Sequence, residues 1–188
     1  MRVMSILATY YIDSLKKRLL TYKTLGEKTF AQIDDAQIHW QPLGDPNSIC
    51  IVVKHMSGNM LSRFTDFLTT DGEKSSRNRD AEFESDKMSK AEMTDLWNTG
   101  WTCLFNAVDS LQPEDLEKTV YIRQEPHTVI DALNRQLAHY PYHVGQIVYL
   151  GKMLAGTSWQ SLSIPKGEGQ SQAFNDKMQQ QALSGGNK

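Results

Sequence analysis

Ala138-His139-Tyr140-Pro141-Tyr142-His143-Val144-Gly145-Gln146 sets two histidines four residues apart within a segment of helical period. Around it, Leu133, Leu137, Tyr140, Val144, Ile147, Val148 and Leu154 recur at three- and four-residue intervals. That pattern predicts an amphipathic helix that starts at Thr128, with Asp131 at the matching box position, and runs to about Leu154, with Gly156 beyond its end. Positions i and i+4 share a helix face, so the two imidazoles stand one turn apart and can grip one metal ion. Pro141, between them, has no amide to donate to Leu137 and predicts a kink at the point where the pair must converge.

Three more helical segments precede this one. The first spans about Met4 to Ile33, with Leu7, Tyr11, Leu15, Leu19, Tyr22, Phe30 and Ile33 on its apolar stripe, and is stopped by Asp34-Asp35 and Gln41-Pro42. The second opens at Ser48, an N-cap after Asp45-Pro46-Asn47. It carries Ile49, Val53, Met56, Met60, Phe64 and Phe67 and closes around Thr70-Asp71-Gly72. The third starts with a capping box, Ser89 and Glu92, and buries Trp97, Trp101, Leu104, Val108 and Leu111 before Pro113. Between the second and third, residues 71–84 are charged and show no apolar period, which predicts a long loop. Val120-Tyr121-Ile122 reads as a short extended piece. The reading is an all-α, up-down four-helix bundle over residues 1–160, then an extended C-terminal tail over 161–188. The tail's end, from Gln179-Gln180-Gln181 to Ser184-Gly185-Gly186, is expected to be disordered.

A chain of 188 residues with 39% hydrophobic content suits one domain with a sizeable core. Its net charge is −2, and acids and bases are interspersed. Clustered Lys and Arg, the footprint of nucleic-acid binding, are missing, and no apolar run is long enough for a bilayer. The N-terminal segment runs into Asp13, Lys16 and Lys17 without a cleavage site, so it is read as the first helix of a cytoplasmic protein. Cys50 and Cys103 lie in apolar surroundings without CxxC spacing and read as reduced core thiols.

A divalent ion takes three or four ligands, so a single i,i+4 pair is incomplete. Of His39, His55 and His127, only His55 sits mid-helix. Asn59 extends a polar strip from it, beside the Val53/Met56/Met60 stripe. Gln136, His139, His143 and Gln146 form a similar strip on the fourth helix, and Gly58 and Gly145 near the histidines would let backbones approach. If the strips face each other, three imidazoles surround one point. Such a set suits zinc, nickel or iron and leaves a coordination position open, the pattern of a catalytic site. The HExxH pattern is absent, because Tyr140 stands where its Glu would be. Spacing alone, however, favours the plainer reading of hydrogen-bonded core histidines, since HxxxH arises by chance on many helices.

Several motifs in order carry a more specific signal. These are Trp40-Gln41-Pro42; Ser48-Ile49; His55-Met56-Ser57-Gly58-Asn59; Thr70-Asp71-Gly72-Glu73-Lys74; residues 77–83; His139 to Ile147; and Ser163-Ile164-Pro165-Lys166-Gly167 with Phe174-Asn175. Across most of its length the chain resembles the DinB superfamily of metal-dependent four-helix bundles, within a subfamily of unassigned function. The resemblance implies His55, His139 and His143 on one divalent ion, commonly nickel or zinc, with iron or manganese as further options, and a homodimer. It also implies kinship with thiol-dependent S-transferases that use bacillithiol or mycothiol, and with a maleylpyruvate isomerase. Pro141 and the extra tail residues Glu168-Gly169-Gln170 depart from the pattern.

Two functions follow as expectations. One is a metal-dependent transferase or hydrolase acting on a small electrophile, with a low-molecular-weight thiol as cosubstrate. Asn59, Tyr142 and Gln146 would support ligands or substrate, and Arg63, Arg77 and Arg79 would hold an anionic cosubstrate. The other is a non-catalytic bundle braced by metal, with a helix face that serves dimerisation or partner binding.

Overall fold

The computed structural model describes residues 2–41, 43, 47–85 and 87–185. The stop signal at Pro42, the Asp45-Pro46 lead-in and Gly186 of the tail lie outside them. The chain is mostly helical. Its long helices are α1 (Arg2–Phe30), α2 (Ile49–Phe64), α3 (Lys90–Asp109), α4 (Val129–Ala155) and α5 (Gln170–Gly185). The caps are those the side chains dictate. Ser48 Oγ accepts the Ile51 amide, Ser89 and Glu92 cap each other reciprocally, and Thr128 accepts the Asp131 amide.

The predicted stripes form one core. Val53, Met56, Met60, Trp97, Trp101, Leu104, Tyr140, Val144 and Ile147 are all buried. Each large side chain so buried contributes roughly 1.5–3 kcal/mol. α2 is buried on nearly every side and packs tightly on α3, where a Cβ on Gly100 would stand 2.9 Å from Ser57 Cα. Two stripe positions and two ends differ from expectation. Leu7 is exposed, and Phe67 lies past the end of α2 and is only half-buried. α1 stops at Phe30, where i→i+3 bonds from Gln32 and Ile33 tighten the turn. α2 stops at Phe64, because Asp66 takes a left-handed conformation and turns the chain.

The helix directions correct the up-down order. α1 and α4 run the same way, with Tyr11 on Asn134 near both starts and Thr29 on Gly151 near both ends. α2 and α3 also run together, from Ser57 on Leu96 to Thr65 on Cys103. α2 opposes α4 through His55 with His143 and Asn59 with Tyr140, and α1 opposes α3 through Lys16 with Asp109 and Lys23 with Asn98. The order is therefore up, down, down, up. Residues 72–84 return along α2 to make it possible. Gly72 lies beside Arg63, Glu82 beside His55, and Glu84 O accepts from Lys54.

The extended piece is β1 (Thr119–Ile122), and its partner β2 (Glu125–Thr128) makes a two-stranded antiparallel hairpin that an all-α reading lacks. Arg123 and Gln124 at its turn both have positive φ, and Asp71 of the connector accepts both of their amides. The tail also departs from expectation. Residues to Gly185 form α5, in which Gln, Ala, Lys and Met favour helix and no proline interrupts. Its described side chains are exposed. No helix among the described residues is long and apolar enough to cross a membrane.

Candidate metal centre

α2 and α4 meet where their polar strips face each other. His55 projects from the middle of α2, and His139 and His143 project from consecutive turns of α4, which runs unbroken through Pro141. His139 Nε2 lies 3.4 Å from His55 Nε2 and 3.0 Å from His143 Nε2, and the candidate ligand atoms of all three lie within 4.8 Å of one another. Two nitrogens at these separations, each about 2.0–2.1 Å from one ion, would subtend roughly 95° and 110° there, within the range of octahedral and tetrahedral coordination. The three histidines could therefore hold a metal ion.

The outer nitrogens decide what the inner ones can do. His55 Nδ1 sits 3.0 Å from Glu82 Oε2, and His143 Nδ1 sits 2.8 Å from Gln146 Oε1. A carboxylate or amide oxygen only accepts, so each Nδ1 donates outward, and in the neutral ring each Nε2 then turns a lone pair inward. His139 is pushed down to about 3, by burial first and then by His143, His55, Arg63 and Arg77; burial also lowers His143. Neutral imidazoles with inward lone pairs are the form a cation requires.

Glu82 is itself held in place. Arg77 donates to both its oxygens, at 2.7 and 2.8 Å. Burial works against the charge on Glu82, but Arg77 and His55 outweigh it and keep the carboxyl below its usual range. Arg77 also faces Glu73 at 3.6 Å, and Glu73 pairs with Arg63 at 3.0 Å and Arg123 at 3.2 Å. A Cβ on Gly58 would stand 2.2 Å from Glu82 Oε1, so this glycine makes room for the carboxylate one turn along from His55. Gly145, by contrast, faces open space and permits no close approach.

An open cleft of about 980 Å³ fronts the histidines. Arg79, Phe83, Arg123, Arg135 and Tyr142 line it, together with Asn59, Arg63, Arg77 and Gln136. Of the supporting residues read from sequence, Gln146 touches His143, Asn59 accepts the Tyr140 hydroxyl at 2.9 Å, and Tyr142 is an exposed wall residue that accepts from Gln146 at 3.3 Å. Arg63 and Arg77 are committed to Glu73 and Glu82, whereas Arg79 lies over the Phe83 ring. His39 and His127 are elsewhere, bonded to Met88 O and Asp131. Glu82 is the residue that sequence reasoning missed. The signal was a lone Ala81-Glu82-Phe83 within a mixed-charge run, where nothing distinguishes it from solvated neighbours.

The sequence profile of one family matches residues 6–168. The chain belongs to that family, described as a protein of unknown function, DUF1572. The shared region contains the three histidines, Glu82 and every cleft arginine, and it ends before α5. No curated protein and no solved structure matches the chain significantly.

Proposed function

We propose that this DUF1572 protein is a metal-dependent enzyme built as a DinB-type four-helix bundle. His55, His139 and His143 would hold one divalent ion, nickel or zinc first, and the cleft would admit a small electrophilic substrate. The observation that carries the reading is the pair of fixed tautomers. Glu82 and Gln146 accept hydrogen bonds from the outer nitrogens of His55 and His143, which leaves lone pairs converging on one point at the cleft. Core histidines that only pack would gain from the outer hydrogen bonds but not from inner lone pairs that face one another.

When bound, the ion supplies Lewis acidity, and three protein ligands leave positions open for a small molecule. The chain's own residues do the rest. Glu82, braced by Arg77, orients His55, while Gln146 orients His143. Among the described residues no Asp or Glu lines the cleft, so these offer no carboxylate to take a proton from water. That favours a nucleophile that ionises readily by itself, as a thiol with a pKa of about 8.5 does. Transfer to a thiol cosubstrate is therefore preferred over hydrolysis.

The test is metal analysis of protein purified without a nickel resin, followed by turnover of a reactive halo-aromatic with low-molecular-weight thiols. About one equivalent of metal, lost in His139→Ala, with thiol-dependent turnover lost in parallel, is expected. Metal far below one equivalent and unaffected by His139→Ala would remove the metal site. A bound ion without turnover across thiols, coordinatively saturated by spectroscopy, would assign the histidines a bracing role instead.

A further inference from the structure

The cleft wall is far more cationic than the chain. Among the described residues five arginines line it, at positions 63, 77, 79, 123 and 135, and no Asp or Glu does. Behind the wall stand Glu73, Glu82 and, at the Arg123 turn, Asp71, so these groups leave an excess of about two positive charges in a chain of net charge −2. The arginines divide into two kinds. The Arg63 and Arg77 side chains, 6% and 4% exposed, are held by carboxylates and brace His55. Arg123 is 58% exposed and shares Glu73 with both of them, while Arg79 and Arg135 have no carboxylate within ion-pair reach among the described residues.

These three come from separate segments, namely the connector, the hairpin turn and α4. Their convergence is therefore not the local composition of one charged run. Two buried polar atoms in the same wall also lack partners, the Arg63 Nε donor and the Gln136 Oε1 acceptor. Phe83 and Tyr142 give the cleft apolar faces beside the charge. A concave site with arginine forks, ring faces and a reactive centre at its floor fits a small organic anion.

We infer that Arg79, Arg123 and Arg135 bind a carboxylate or phosphate group of the substrate or cosubstrate and thereby direct its reactive end to the three histidines. The inference rests on the metal reading only for where that reactive end goes. The anion site itself stands on the arginines.

Calorimetric titration with succinate and with inorganic phosphate, on metal-loaded and metal-free protein, tests it. Arg79→Gln/Arg135→Gln should weaken the tighter probe at least tenfold, while Arg18→Gln, an exposed arginine outside the cleft, should leave it unchanged. Binding should also fall as salt rises. All three side chains are exposed, so a melting temperature unchanged by the substitutions confirms that the fold is intact. The probe that binds tighter identifies carboxylate or phosphate as the recognised group. Failure of both probes to bind, or equal weakening by Arg18→Gln, overturns the anion site. Anion binding by a wild-type protein that takes up no added metal keeps the anion site and overturns the metal reading. Metal binding without anion binding does the reverse.

Discussion

Gly58→Ala tests the link between the connector and the metal ligands. The added Cβ would fall 2.2 Å from Glu82 Oε1 and 2.8 Å from its Cδ, so the carboxylate must move. That motion strips Arg77, whose side chain is 4% exposed, of a bidentate partner and frees His55 Nδ1. Removing one partner of a buried pair costs roughly 3–5 kcal/mol, and displacing it should cost near the lower end. Replacing a mid-helix glycine by alanine returns about 1 kcal/mol. The net destabilisation is then about 2 kcal/mol, or roughly 4–8 °C in melting temperature for a chain of this size. Loss of the carboxylate behind a ligating histidine should also weaken metal binding about 10–100-fold. Gly145→Ala is the matched control on α4, because nothing lies within 4 Å of its Cβ. It should gain about 1 kcal/mol and leave metal affinity alone. Calorimetric melting and competition with a fluorescent chelator measure both quantities. If Gly58→Ala behaves like Gly145→Ala in both, Glu82 does not orient His55 and the reasoning is wrong.

Metal-free protein should lose stability in mild acid through His139. Its folded value is near 3 against about 6.5 unfolded, so the unfolded chain binds more protons between these limits. The contribution is complete above about pH 6.5 and declines as pH falls toward about 3, and His139→Asn should flatten that slope of unfolding free energy against pH. An unchanged slope would exclude His139 as its source. Asp71→Ala should cost about 1–3 kcal/mol at neutral pH in urea unfolding, because three backbone amides lose their acceptor. The amide of Glu73, first among these, holds the Asp71 carboxyl below its usual range. The deficit should therefore shrink as pH falls through that lowered value, and a deficit constant down to about pH 2 would contradict this. Pro141→Ala restores an amide able to reach Leu137 inside a continuous helix. It should raise stability by at least about 1 kcal/mol while metal affinity stays within about threefold, and a large affinity loss would show that the proline shapes the ligand pair.

The sequence reading succeeded where periodicity and caps govern. Trp97, Trp101, Leu104 and Val108 are buried as their spacing requires, and Ser48, Ser89 and Thr128 cap their helices. The three histidines come together because each lies on a polar strip that adjoins a core stripe. What failed is what periodicity does not encode. Helix order depends on where residues 65–89 travel. A segment that long can span the roughly 24 Å of α2 and return the chain to its starting end, as well as reverse it. Glu82 sits in that same segment, where no repeat marks an inward-facing position. Arg135 and Arg123 reach the cleft from segments far apart in sequence, so their meeting is a tertiary event. Only α5 was misjudged for local reasons, since its polar residues are also good helix formers.

The connector closes on His55 through Glu82, held by Arg77, and through the Phe83 ring, 4.9 Å from the imidazole. A local opening of residues 77–84, with α1 to α4 still packed, would withdraw Glu82 from His55. An ion that favours the closed form must deepen that form's free-energy well by the same amount that closure strengthens its own binding. Connector amides should therefore exchange with deuterium more slowly as metal is added, while those in the core of α3 keep their rate.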